Sequence, residues 1–269
     1  MKERLLAAMR AKGSVVVGFS GGVDSAVLAK LAADALGERA LALIVDSESY
    51  ASAEKEAAVA FARELAIPFE VVWHSELADP NYAANPTNRC YFCRQGLSDV
   101  LFEVARARDY AAVAVGTNAD DARDPFRPGD KALRERGAWQ PFVELGLTKE
   151  DVRALAREMG LPVADKPSMA CLSSRIPHGE PVTMEKLTRI GRAEAWLRAR
   201  GFAQVRVRTL EGGASARVEV LPQEVARAMA LADEMRAEFA RFGYASVEVD
   251  ERGYRTGALN EPLALRRRA

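Results

Sequence analysis

Through the first 165 residues, apolar side chains gather in short unbroken runs, and between those runs they recur every three or four positions. The runs "SVVVGF" (14–19), "ALALIVD" (40–46), "FEVVWH" (69–74) and "AAVAVGT" (111–117) predict strands. Because the runs are apolar at successive positions, they suit a parallel sheet covered on both faces. The helical spacing predicts helices over 23–36, 51–65, 94–108 and 148–159, the last entered at Thr148 and closed by Gly160-Leu161-Pro162. Strand and helix alternate, so the fold class is α/β with an open parallel sheet. Two stretches break the series and read as loops over the sheet's edge: 76–93, rich in Asn and Pro, and 120–141, with alternating charges and Pro125 and Pro128.

After the aperiodic stretch "DKPSMACLSSRIPHGEPVT" the pattern changes. A helix over 184–200, strands over 203–210 and 215–221, a helix over 223–241 and a strand over 245–250 predict a smaller α+β unit. Its strands alternate, so one sheet face is expected to be solvated or turned to a partner. The expected domains are 1–170 and 171–269, and the closing Arg266-Arg267-Arg268-Ala269 reads as a solvated tail.

Composition narrows the chemistry. The chain has 269 residues, 49% of them hydrophobic, enough for two proper cores. Lys plus Arg and Asp plus Glu are 38 each, so no overall field favours a nucleic-acid backbone or an acidic membrane, and a small anion needs a local site. The first residues mix charges with helical spacing instead of forming a signal peptide, and no apolar run reaches membrane-spanning length; a cytoplasmic protein is expected. Three cysteines, an odd number, argue against a disulfide framework and point to metal or thiolate chemistry.

The first strand ends at Gly18 and Phe19, and Ser20-Gly21-Gly22-Val23-Asp24-Ser25 leads straight into a helix. Glycines let backbone N–H groups approach an anion, the hydroxyls add donors, and the helix contributes its positive end. The lysine of a Walker loop is missing. SGGVDS instead resembles the PP-loop of ATP pyrophosphatases, which implies adenylation of a substrate with release of pyrophosphate. Asp46 and Ser47 after the second strand, and Gly116, Thr117, Asn118 and Asp121 in "GTNADD" after the fourth, lie at the sheet edge where α/β folds bind nucleotides. The resemblance puts such turns near the triphosphate and its Mg2+, for which Asp24 and Asp121 are candidate ligands.

Cys90 and Cys93 form a C-x-x-C in "NRCYFCR", and Cys171 sits in "MACLSSRIPHG". The residues leave four readings open: zinc held by the three cysteines and His178, a redox pair, core cysteines, or sulfur chemistry. SGGVDS, "NRCYFCR", "GTNADD", "KPSMACLSSRIPHGEPVT", "KLTRIGRAEAWL" and "VRVR" together resemble the LarE family. Its members are ATP-dependent sulfur transferases in the synthesis of the nickel-pincer nucleotide cofactor, and the ACLSSR segment narrows the superfamily to this family.

The resemblance implies a substrate, pyridinium-3,5-biscarboxylic acid mononucleotide, whose carboxylate is adenylated by ATP and converted to a thiocarboxylate. In one form of the family the cysteine at the position of Cys171 gives up its own sulfur. The C-x-x-C makes this chain resemble the other form, in which Cys90, Cys93 and Cys171 hold a [4Fe-4S] cluster with one iron free of protein ligands. Arg89, Arg94 and Arg175 are near the cysteines in sequence and are expected to favour thiolates. Asp24, Cys171 and Arg175 are the implied catalytic set. Arg206 and Arg208 alternate on a strand and so share a face suited to the substrate's phosphate, with Ser174 as a neighbour and Glu194 near substrate or metal. Trp73 and His74 read as packing residues. A homo-oligomer through the second domain, a sulfur donor and other cofactor-synthesis enzymes are implied partners.

Rival readings are a tRNA thiolation enzyme, which needs a basic surface that this neutral chain lacks, an amide-forming ligase of the NAD-synthase or GMP-synthase type, which needs no cysteines, and a non-enzymatic module with a degenerate ATP site.

Overall fold

A computed structural model of the chain describes residues 1–123, 128–167 and 170–255. Pro125, Ser168, Met169 and the Arg266–Ala269 tail lie outside the described residues. The chain divides into two compact units, one of residues 1–82 and 88–169, the other of 83–87 and 170–269.

In the first unit the four apolar runs become parallel strands, β1 (Val15–Gly18), β2 (Ala40–Asp46), β3 (Phe69–Trp73) and β4 (Ala112–Ala114), in the spatial order β3-β2-β1-β4. Successive residues serve opposite cores. Val15 and Val17 pack with α1 (Lys2–Lys12), α2 (Val23–Leu36), α3 (Ser52–Glu64) and α9 (Lys149–Glu158) on one face. Val16, Leu41 and Leu43 pack with α5 (Arg89–Ala107) and α7 (Pro128–Glu135) on the other. A strand buried on both sides must be apolar at every position, which explains the unbroken runs. The strand order reverses direction at β1, with β2 on one side and β4 on the other, and the carboxyl ends of β1 and β4 form the crevice where such sheets take ligands.

Helix α9 begins as its sequence dictates: the Thr148 hydroxyl accepts the Asp151 N–H at 3.2 Å while the Asp151 carboxylate accepts the Thr148 N–H at 2.9 Å, a capping box. Those Thr148 donors hold the Asp151 carboxyl below the usual range. Two expected loops are partly helical. The 76–93 stretch holds α4 (Pro80–Ala83) and the first turn of α5, which starts five residues before the expected position 94. The 120–141 stretch holds most of α6 (Ala119–Arg123), α7 and the start of α8 (Pro141–Glu144). In the second, packing outweighs weak local propensity: Ala132 and Leu133 are buried, Leu133 in the same cluster as Val16 and Leu43 of the sheet.

The second unit pairs β5 (Val205–Leu210) antiparallel with β6 (Ser215–Val220), and β6 parallel with β7 (Ser246–Val249). Helix α10 (Met184–Ala199) lies on β5. The expected single helix over 223–241 is broken into α11 (Val225–Ala230) and α12 (Ala232–Phe242) at Leu231. Alternation on β5 also misleads: Val205 to Thr209 are all buried, because the arginines between the valines are covered and paired. The expectation of a solvated face fails there, since a guanidinium can enter an interior once carboxylates and carbonyls receive its donors.

Candidate active site

Gly21 has φ +66°, and a β-carbon on it would lie 2.8 Å from the Ala58 β-carbon of α3, so only glycine fits this turn. Ser25 ties the loop: its hydroxyl donates to the Gly22 carbonyl at 3.0 Å and accepts the Ser20 N–H at 3.2 Å. The Tyr50 hydroxyl donates to the Ser20 carbonyl at 3.1 Å. Burial first, then the charges of Glu54 and Asp46, pushes the Tyr50 phenol up, so it remains a donor. No side chain caps α2 at Gly22, which leaves its first-turn N–H groups to an anion.

The turn after β4 closes on this loop. A β-carbon on Gly116 would lie 2.9 Å from both the Asp24 carbonyl carbon and the Ser25 nitrogen. Asn118, fully buried, donates its amide to Asp24 Oδ1 at 3.1 Å and to Asp121 Oδ2 at 2.9 Å, and its own oxygen caps α6 by accepting the Asp120 and Asp121 N–H groups at 3.0 Å. Two carboxylates are thus gathered beside the glycine loop, hard oxygen donors of the kind that suit a small divalent cation. Gln140 donates to Asp130 at 2.7 Å and approaches the Thr117 hydroxyl at 3.5 Å.

Two lysines complete the crevice, and sequence reasoning missed both. Lys149 pairs with Asp24 Oδ2, and Lys166 donates to the Gly21 carbonyl at 3.2 Å and pairs with Glu54 at 2.9 Å. Each is remote in sequence from the loop it reaches, so no local motif marks it. Asp46 pairs with Lys55 at 2.7 Å, and Ser47 donates to Glu76 at 3.0 Å, with Tyr82 on the same Glu76 oxygen at 3.1 Å.

Cys90, Cys93 and Cys171 form no disulfide and are divided between the units. Cys90 and Cys93 stand in the first turn of α5, three residues apart and so on one helical face, at the end where the helix dipole favours negative charge. Within either unit, no three His, Cys, Asp or Glu side chains gather as a metal site among the described residues.

In the second unit Cys171 precedes a single 3₁₀ turn, Leu172–Arg175. Its carbonyl accepts the Ser174 N–H at 3.0 Å, the Ser174 hydroxyl at 2.8 Å and Arg175 Nη1 at 2.8 Å. The same Nη1 reaches the Ala170 carbonyl at 2.7 Å, while Nε and Nη2 form a fork onto Glu194 at 2.7 and 2.9 Å. Arg175 is 1% exposed and spends its donors on the loop's backbone and on Glu194, so its visible part is to hold the cysteine turn in shape.

Glu194, 0% exposed, also accepts Arg198 at 2.9 Å and the Val207 N–H at 3.1 Å. Burial alone pushes its carboxyl up, but the charge and fork of Arg175, the charge of Arg198 and the Val207 amide together hold it below the usual range. Arg208 forks onto Glu219 at 3.0 and 2.9 Å and donates to the Ser174 carbonyl at 2.7 Å. Arg206 donates to the Val205 carbonyl at 2.8 Å and lies 5.3 Å from the Tyr254 ring. Burial, then the nearby Arg175 charge, lowers the Arg206 pKa to about 10. The second unit therefore collects Ser174, Arg175, Glu194, Arg206 and Arg208 around one buried charge network.

Comparison with known proteins gives a consistent picture. Residues 3–86 match the NAD synthase family. An uncharacterized protein of Synechocystis sp., slr1717, is 44% identical over 92% of each chain. Pyridinium-3,5-bisthiocarboxylic acid mononucleotide synthase of Lactiplantibacillus plantarum is 32% identical over 97% of this chain and 94% of its own. The NH(3)-dependent NAD(+) synthetase of Chlorobaculum tepidum is 32% identical over 60% of this chain and 58% of its own.

Proposed function

Because the chain belongs to the LarE family of ATP-dependent sulfurtransferases, within the PP-loop superfamily, we propose that it converts a carboxylate of pyridinium-3,5-biscarboxylic acid mononucleotide to a thiocarboxylate with sulfur supplied through its three cysteines. The observation that carries the reading is similarity over 97% of the chain to a synthase of the bisthiocarboxylic product, against 60% to an amide-forming NAD(+) synthetase.

A carboxylate resists attack because the attack adds charge to an anion. Adenylation removes that charge and supplies a leaving group. The proposed sequence starts with the carboxylate displacing pyrophosphate from ATP, followed by attack of sulfur on the acyl carbon and departure of AMP. Ser20 to Ser25 and the first turn of α2 bind the departing pyrophosphate, with Gly116 and Thr117 beside it and Asp46 at the adjacent strand end. Lys149 and Lys166 neutralise charge as it accumulates. Asp24 and Asp121 would hold Mg2+, which would offset the charge of the phosphates.

The donor chemistry of three reduced thiols fits a cluster with one open iron. Cys90, Cys93 and Cys171 would hold it, and it would supply replaceable inorganic sulfur without consuming a protein atom. Arg175 and Ser174 keep the Cys171 turn in its shape. Arg206 and Arg208 recognise the substrate phosphate, whose oxygens suit guanidinium donors carried on one strand.

With ATP, substrate and inorganic sulfide supplied in excess under exclusion of oxygen, the protein is expected to form several thiocarboxylates per chain, one sulfide consumed for each, while Cys171 keeps its mass. One product per chain, with Cys171 losing the mass of hydrogen sulfide, would make the cysteine a sacrificed donor and overturn the cluster reading. Gly116→Ala is expected to weaken ATP binding about 10-fold, since its added carbon meets the backbone that shapes the crevice. Calorimetric titration with ATP checks this, and unchanged affinity would remove the crevice from the reading.

A further inference from the structure

Residues 83–87 leave the first half of the chain to join the second unit, and Asn85 is the centre of their attachment. Asn85 is fully buried with φ +54°, a left-handed backbone unusual for a residue with a side chain. Its amide nitrogen lies 2.7 Å from the Pro177 carbonyl oxygen, 2.8 Å from that of Glu180 and 3.4 Å from that of Ile176. In return the Asn85 carbonyl accepts the Gly179 N–H at 2.9 Å, and the Ala83 carbonyl accepts the Val182 N–H at 2.8 Å. A five-residue piece of distant chain thus clasps the loop 176–182 by both side chain and backbone.

The residue type follows from the donors needed. An asparagine amide brings two N–H donors to carbonyls that would repel the acceptor-only carboxylate of aspartate, and asparagine tolerates the left-handed backbone better than most residues. Glycine would accept the backbone and offer no donor.

The clasped loop continues directly from the Cys171 turn, and Cys90 is the fifth residue after Asn85. We propose that Asn85 is a positioning residue for the sulfur chemistry. It makes the chain entering the C-x-x-C start from a fixed point in the unit that carries Cys171. The proposal rests on the reading in which the three cysteines act together.

Asn85→Gly separates the clasp from the backbone conformation, and Asn85→Asp replaces the donors by repulsion. In Asn85→Gly, hydrogen exchange at Gly179 and Val182 is expected to accelerate about 10-fold, because the loop opens more often. Iron loss from the anaerobically reconstituted protein to a chelator is expected to rise about 10-fold, the lower end of what removal of a residue supporting metal ligands does. Asn85→Asp should exceed Asn85→Gly in both. Glycine matching the parent in both measurements overturns the proposal, since a left-handed turn alone would then account for the asparagine. If the parent itself binds no iron, the cluster reading fails separately, and the alkylation rate of Cys171 decides. A several-fold change in Asn85→Gly upholds the positioning role, and an unchanged rate ends it.

Discussion

Replacement of Glu194 by alanine is expected to cost about 3–5 kcal/mol, the range found when one partner of a buried ion pair is removed. Glu194 receives the Arg175 fork, Arg198 and the Val207 N–H, and both it and Arg175 are shielded from water. Alanine would leave the Arg175 charge in the interior with backbone carbonyls but without its paired carboxylate. Since a whole domain is stable by only about 5–15 kcal/mol, the loss should register as a large fall in denaturant midpoint. Removing both charges together, as Arg175→Met with Glu194→Leu, should recover much of the loss, because a buried pair contributes little over well-packed apolar groups. A single variant within about 0.5 kcal/mol of the parent would contradict this account.

The same carboxylate sets an acid limit. Its folded pKa lies below its unfolded one, so its contribution is complete above the unfolded value of about 4.3 and is lost as pH falls through the folded value. Stability of the parent should therefore drop on acidification below about pH 4.3 more steeply than that of Glu194→Ala. Matched denaturation curves between pH 6 and pH 2, roughly the span over which native carboxylates become protonated, test the difference.

The second large effect concerns the C-x-x-C. Anaerobically prepared parent protein is expected to hold about four irons and at least as many sulfides per chain, and Cys90→Ala with Cys93→Ala to hold almost none. Repeated sulfur transfer should fall at least about 100-fold in that variant, while ATP binding at the first-unit crevice stays intact. Iron, sulfide and ATP affinity measured on the same samples separate the outcomes. A variant that keeps full multiple turnover would return the C-x-x-C to a packing role.

The glycine loop after β1 is largely legible because its determinants are local. SGGVDS between an apolar run and a helical pattern specifies a turn, its glycines and the helix end beneath a phosphate. The α2 range coincides with its expected range because a buried helix between two glycine turns has few alternative boundaries. By contrast the start of α5 was hidden: Arg89 to Cys93 show no apolar period, and only docking of the later part of the helix on the sheet extends it backwards through the C-x-x-C. The break at Leu231 was equally invisible, since a continuous helical spacing runs through it.

By itself the sequence determined the parallel sheet of the first unit and the glycine loop that leads from β1 into α2, since periodicity and short motifs are properties of neighbouring residues. The tertiary structure alone decided the partners. It brought Asn118 between Asp24 and Asp121, Lys149 to Asp24 and Lys166 to the Gly21 carbonyl, none of which spacing foretells. It also buried Arg175 in a fork on Glu194, and it drew Asn85 out of its own half of the chain to hold the loop that follows the Cys171 turn. The reason is common to all of them: a charge or amide removed from water must find its complement wherever the fold has left one, and that place is fixed by packing over long sequence separations.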